Sequence, residues 1–194
     1  ADMWIHEGFT TYSENLFLDY HFGKKASSEY VLGKRRRISN QKPIIGPYNV
    51  NKSGSSDMYD KGSNLLHTLR QIANNDEKWR QILRGLNKDF YHQTVTTKQI
   101  ENYISEKLEM DLNPFFNQYL RDIRIPTLEY TFNKNILKFK WSNVVDRFEM
   151  PVDLFINNKS IRIYPSKEWK KIELKSENFY FDSNYYINTK KVIY

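Results

Sequence analysis

Apolar positions recur at helical spacing up to "RDIRIPTLEY" and alternate with polar ones after it. Ile5, Phe9, Tyr12, Leu16 and Tyr20 form one stripe of a first helix, with Asp2 placed to cap it and Gly23 to end it. A second helix is predicted from Ala26 to about Arg37. The nineteen residues "SNQKPIIGPYNVNKSGSSD" then read as a loop, long enough to serve a site or to move. In "MYDKGSNLLHTLRQIAN" the residues Leu65, Leu66, Leu69, Ile72 and Ala73 share a face, and Asp57 stands at the N-cap. Asp76 is the expected cap of the next helix, which turns Trp79, Ile82, Leu83 and Leu86 inward. "TTKQIENYISEKL" begins at a threonine cap and buries Ile100, Tyr103, Ile104 and Leu108, and a short helix follows from Pro114 to Leu120.

Beyond Pro126 the period is two. Leu128, Tyr130 and Phe132 alternate with polar residues, as do Leu137, Phe139 and Trp141, then Phe148 through Ile156. The pairs Ile161/Ile163, Ile172/Leu174 and Phe179/Phe181 continue the pattern, with turns such as "NNKS" and "DSN" between them. Six or seven short strands at this spacing predict a small antiparallel β-sandwich. The expected fold is therefore α+β. Residues 1–124 are the helical part and 125–194 the β-sandwich domain.

Composition adds limits. The chain is 39% hydrophobic with 12 Phe, 14 Tyr and 4 Trp, ample for a packed core. It has no cysteine, which excludes disulfides and thiolate metal sites. No run of about 18 apolar residues exists, so no helix spans a membrane. The net charge of +7 includes one dense cluster, Lys34 to Arg37. With no nucleic-acid motif beside it, that cluster reads as a solvated helix face, and nucleic acid is not an expected partner.

The candidate chemistry is sparse. Glu7 and Glu14 share a helix face but lie ~10 Å apart along the axis, too far to hold one metal together. Gly8, beside Glu7, lets another backbone or a metal site approach. His6, His21, His67 and His92 are isolated, and no HExxH, GxSxG or phosphate-binding loop occurs. Tyr59 falls in the first helical turn after the long loop, where a phenol can face a cleft.

Together these segments acquire a meaning. "MWIHEGFTTYSE" resembles the W-x-x-E-G-F-[AT]-x-Y-x-E segment of the M1 family of zinc aminopeptidases, the gluzincins. "DMYDKGSNLLHTLRQ" is similar to that family's Y-x-K-G-[AS]-x-x-L-x-x-L segment. "FFNQYLRDIRIPTLEYTF" resembles the junction where the helical half of the peptidase domain, thermolysin-like in fold, passes into a β-sandwich. The resemblance implies that Glu7 is the third zinc ligand and Tyr59 the catalytic tyrosine. Glu14 matches a recurrent acidic position on the ligand helix, which implies a carboxylate supporting the metal's ligands. His6 replaces the Asn often found before the ligand.

In the family the other two ligands are the histidines of HExxH, which here would fall before residue 1. The chain is thus expected to be the C-terminal part of an M1 peptidase domain, with Zn2+ bound in the full-length parent and none held by this portion alone. The parent's substrates are then peptides with a free N-terminus. The exposed face left at the N-terminal side, with Trp4 and Phe9, is expected to invite self-association. The alternative is a non-catalytic peptidase-like binding module; a basic nucleic-acid domain using Lys34–Arg37 is a third reading. Compartment, residue preference and the role of Ile44–Asn51 stay open.

Overall fold

The computed structural model describes residues 1–52 and 54–193, so Ser53 of the long loop and Tyr194 of the β-domain lie outside the described residues. Helix α1 runs Trp4–Lys34 and continues into a 3-10 turn, Arg35–Arg37. It kinks at Gly23 (φ 85°, ψ 170°), a left-handed conformation that glycine adopts without penalty. The expected stop is therefore a break between two helical segments. Helices α2 (Asp57–Ala73), α3 (Asp76–Asp89), α4 (Thr97–Leu108) and α5 (Asn113–Phe116) follow, and α5 runs on into a π-helical turn, Asn117–Arg121.

The capping aspartates behave differently from their sequence reading. Met3 precedes α1 without a side-chain cap, while the Asp2 carboxylate accepts from the Thr97 amide and the Tyr48 hydroxyl, each at 3.0 Å. Asp57 is the first residue of α2, and its carboxylate turns back to the loop, accepting from the amides of Ser39 (2.9 Å) and Asn40 (2.7 Å). Asn75, not Asp76, caps α3, and Asp76 accepts from Arg70 Nε at 2.8 Å. In each case a partner from a distant segment takes the carboxylate, for Asp76 the Lys24 ammonium of α1 at 2.7 Å beside Arg70. Thr96 does cap α4, in a reciprocal box with Gln99.

Helix α1 departs from its predicted stripe at one end. Trp4, Gly8, Thr11, Tyr12 and Asn15 are its buried residues before the kink, whereas Tyr20, assigned to the apolar stripe, is 85% exposed. The buried end makes a close crossing with α2. A Cβ placed on Gly62 would lie 3.0 Å from Gly8 Cα, so the two backbones touch and α1 brings Gly8 to α2, while Tyr12 of the stripe is buried and Ile5, Phe9 and Leu16 pack partly buried against the core. Trp4 is likewise not exposed: it is fully buried, and its Nε1 donates to Thr97 Oγ1 at 2.8 Å. Phe9 is half-buried beside it, and the exposed apolar side chains of α1 are Phe17, Tyr20 and Phe22.

Seven strands form two sheets: β1 (Thr127–Asn133), β2 (Ile136–Ser142), β3 (Val152–Ile156), β4 (Lys159–Ile163), β5 (Lys170–Glu173), β6 (Phe179–Phe181) and β7 (Asn188–Lys191). One has the order β5-β2-β1-β7, the other β4-β3-β6. All pairs are antiparallel except β1 with β7. The predicted inward residues meet between the sheets: Tyr130 packs on Phe181 with centroids 5.0 Å apart, and Phe132 on Phe179 at 5.6 Å. Strand β7, "NTKK", has no buried side chain, so its sequence carries no alternation to read.

The turn after β6 docks the sandwich onto the helices. Arg35 donates to the carbonyls of Ser183 (2.8 Å) and Asn184 (3.2 Å) and to Asn64 Oδ1 (2.7 Å), and Thr68 Oγ1 accepts from the Tyr186 amide at 3.0 Å. Arg162 of β4 donates to the carbonyls of Gln71 and Ile72 at the end of α2, where a cation complements the helix dipole. The Lys34–Arg37 run is consequently not one solvated face. Lys34 is buried against Glu14, Arg35 clamps the turn, and Arg37 pairs with Asp60 at 3.1 Å.

Candidate active site

The crossing of α1 and α2 sets the positions of the two residues singled out by the sequence. Glu7 immediately precedes Gly8, and Tyr59 immediately follows Met58, whose carbonyl oxygen would lie 3.2 Å from a Cβ on Gly8. The backbone approach that Gly8 was expected to permit is thus made by α2. Glu7 is half-buried and Tyr59 is 40% exposed. Among the described residues neither the Glu7 carboxylate nor the Tyr59 hydroxyl has a hydrogen-bond or ion-pair partner. A half-buried carboxylate left unpaired is available to a cation.

Glu14 is already engaged. It accepts from the Tyr30 hydroxyl at 2.6 Å and from Lys34 Nζ, and the bond to Lys34 holds its carboxyl below the usual carboxylate range. Burial opposes the charge on Lys34, but Glu14 and Tyr30 outweigh it and raise the ammonium pKa. Lys34 also lies 3.9 Å from Asp60, the neighbour of Tyr59. Glu14 is therefore linked to the first turn of α2 through a lysine, rather than brought to Glu7.

Around Tyr59 the backbone is fixed on several sides. Asp57 holds Ser39 and Asn40 at the mouth of the loop. Lys61, fully buried, donates to the Asp122 carbonyl at 2.9 Å, and burial pushes its pKa down to about 8 against the attraction of Asp57 and Asp122. Gly62 meets Gly8. Asn64 donates to the Val31 carbonyl at 3.2 Å and Thr68 reaches the sandwich. Asp57, Lys61, Asn64 and Thr68 recur at i, i+4, i+7 and i+11, a second stripe on α2 that is polar and buried. Sequence reading gave Asp57 only a capping role and the other three none; the same helical period that located the leucine face was the available signal.

His67, an isolated histidine in the sequence, is 3% exposed and bridges the halves. Its Nδ1 lies 3.1 Å from Asn15 Nδ2 and its Nε2 2.9 Å from Asn184 Oδ1, which requires the neutral ring with the proton on Nε2. Burial lowers its pKa to about 4. Among the described residues no group of three His, Cys, Asp or Glu could hold a metal ion.

Residues 1–119 match the model of the peptidase family M1 domain. Among solved structures, the chain is similar to Legionella pneumophila aminopeptidase A in complex with aspartic acid, with TM-score 0.71 and 17% identity over 100% of this chain. The chain spans 24% of that protein, and at this identity the likeness shows a shared fold. With the family match extending over more than half of its residues, from the Glu7 helix through the end of the helical part, the chain belongs to peptidase family M1.

Proposed function

We propose that this chain contributes to a zinc-dependent aminopeptidase the glutamate that completes the metal's ligand set and the tyrosine that stabilises the transition state. The observation that carries the reading is the position of Glu7 and Tyr59 beside one helix crossing, each polar group without a partner among the described residues. Both face one cleft in this reading.

The donor set fits one ligand and no more. Glu7 offers a single half-buried carboxylate, and among the described residues no group of three His, Cys, Asp or Glu that could hold a metal ion is found. Remaining ligands and the general base then come from the rest of an M1 peptidase domain, and the 194 residues alone neither retain catalytic zinc nor cleave peptides. When bound, zinc supplies Lewis-acid polarisation of the scissile carbonyl and a lowered pKa for water. Glu7 holds the ion, and the helix contact at Gly8 holds Glu7. Tyr59 donates its hydroxyl proton in a hydrogen bond to the carbonyl oxygen as negative charge develops there. Asp57, Lys61 and Gly62 keep the turn carrying Tyr59 from shifting.

The test uses a longer polypeptide that joins these residues to the remainder of the peptidase domain, assayed for zinc content and aminoacyl-amide hydrolysis. Glu7→Gln is expected to lose metal and turnover together. Tyr59→Phe is expected to keep its metal and lose on the order of 10²–10³ in kcat. A Glu7→Gln protein with full zinc and full turnover would overturn the ligand assignment.

A further inference from the structure

The outer face of the four-stranded sheet carries charge that the peptidase reading does not use. Lys138 on β2 stands directly opposite Lys171 on β5, and cross-strand partners share a face. Its partner on the other side, Thr131 of β1, is uncharged. Lys134, Lys138 and Lys171 line one open concavity of ≈750 Å³ that runs round the end of the sheet to Lys191, the register partner of inward-facing Tyr130, and is bordered by Ile136 and Ile193. None of these four lysines makes an ion pair among the described residues. Lys140 and Lys190, by contrast, both reach Glu129, at 3.6 and 4.0 Å. Glu173, beside Ile136 in the register, forms no ion pair with them.

This placement costs stability, because like charges directly opposite on an antiparallel pair repel. Lysines on edge strands guard against unwanted strand pairing, which accounts for those of β5 and β7. It does not account for Lys138, which lies on an interior strand. Two further features identify what would relieve the repulsion. The cations lining the concavity are all lysines, without the guanidinium forks that read phosphates and bases bidentately. Apolar groups stand among them: Ile193 is 89% exposed, and Trp169, with Lys140 Nζ 5.0 Å from its ring centre, borders the adjoining depression beside Lys138 and Lys171.

We propose that this sheet face is a peripheral docking surface for an anionic lipid bilayer. Lys134, Lys138 and Lys171 sit over the headgroups and Ile193 enters the interfacial layer, with half-buried Trp169 staying beside Lys140 at headgroup level, the combination of charge and apolar insertion that reversible membrane attachment requires. A nucleic-acid strand would use the charge but leave the aliphatic groups without a function. The proposal is independent of the peptidase reading.

The 194-residue chain is sedimented with phosphatidylcholine vesicles, with and without about a third phosphatidylserine, at low and near-physiological salt. Binding is expected only with phosphatidylserine, to weaken with salt, and to fall about tenfold or more in Lys138→Glu/Lys171→Glu. Lys25→Glu/Lys88→Glu, the same charge change on exposed residues of α1 and α3, should bind as the unaltered chain does. Circular dichroism checks the fold. Lys138→Gln/Lys171→Gln, expected to show a smaller loss, serves if the charge reversal unfolds the sheet. Failure to bind phosphatidylserine vesicles, equal loss in the control variant, or binding to single-stranded DNA or polyglutamate with vesicles left unbound would each overturn the proposal.

Discussion

Gly8 and Gly62 meet backbone to backbone: a Cβ added to Gly62 would fall 3.0 Å from Gly8 Cα, and one added to Gly8 would fall 3.4 Å from Gly62 Cα. Neither neighbour is a flexible side chain that can swing away, so a methyl group at Gly62 must push the helices apart. Alanine gains ~1 kcal/mol of helix propensity over glycine, but overpacking costs ~1–3 kcal/mol. Gly62→Ala is therefore expected to lower stability by about 1 kcal/mol and Gly62→Val by more. Urea midpoints at constant m check this, and a stabilised Gly62→Ala would show that the crossing is looser than described.

Asp57 supplies both backbone amides at the loop mouth with their acceptor from a position only 2% exposed. Asp57→Ala leaves two amides without it and should cost about 2–3 kcal/mol, the scale of hydrogen bonds to a charged group. Asp57→Asn, which retains one acceptor oxygen, should fall between. Faster amide exchange at Ser39 and Asn40 is the local signature; protection unchanged there would refute the clamp.

His67 and Lys61 give stability a pH dependence of one sign in two windows. His67 falls from 6.5 to about 4 on folding, chiefly by burial, with Arg70 and Arg35 lowering it further while Asn184 and Asp19 oppose. Its contribution is fully present above pH 6.5 and is lost as pH falls toward 4, on the order of 3 kcal/mol in all. Lys61, lowered from 10.5 to about 8, penalises the folded state at neutral pH, and that penalty is relieved as pH rises from 8. Above pH 10 the buried hydroxyls of Tyr12, Tyr119 and Tyr185, all raised by burial, reverse the trend. Melting temperatures across pH 4–10 check both windows, and His67→Gln should flatten the acid limb alone.

Arg162 joins β3, β4 and α2 in one contact. It bonds Asp153 at 2.8 Å, the Gln71 carbonyl at 2.7 Å and the Tyr185 hydroxyl at 3.1 Å. Arg162→Ala leaves a largely buried carboxylate unpaired and uncovers the end of α2, for an expected loss of about 2–4 kcal/mol. Arg162→Lys should recover part of it, since an ammonium cannot serve the carboxylate and both carbonyls as the fork does. A double-mutant cycle with Asp153→Asn that showed no coupling would count against this role.

What the sequence disclosed divides along α2. Leu65, Leu66, Leu69 and Ile72 announced a buried face, and their period carried the element with it. Asp57, Lys61, Asn64 and Thr68 have the same period and are equally buried, but polar residues declare burial only through partners such as Asn40, Asp122, Val31 and Tyr186, which the fold alone brings near. The same reasoning applies to Asp2 and Asp76, whose cap-like positions were legible while their distant partners, Thr97 and Lys24, were not. Glu7 and Tyr59 acquired their roles through family resemblance; spacing by itself marked only a close approach at Gly8 and a helical turn from which a phenol can face a cleft.

The turn at Asp182–Tyr186 also bears on how such a protein can be divided. Its bonds to Arg35, His67 and Thr68 pass through the middle of the helical half, so the seam visible in the sequence near Pro126 is not a line of weakness. A gene fusion or domain exchange cut at that seam would sever the ties holding the inner helix in place.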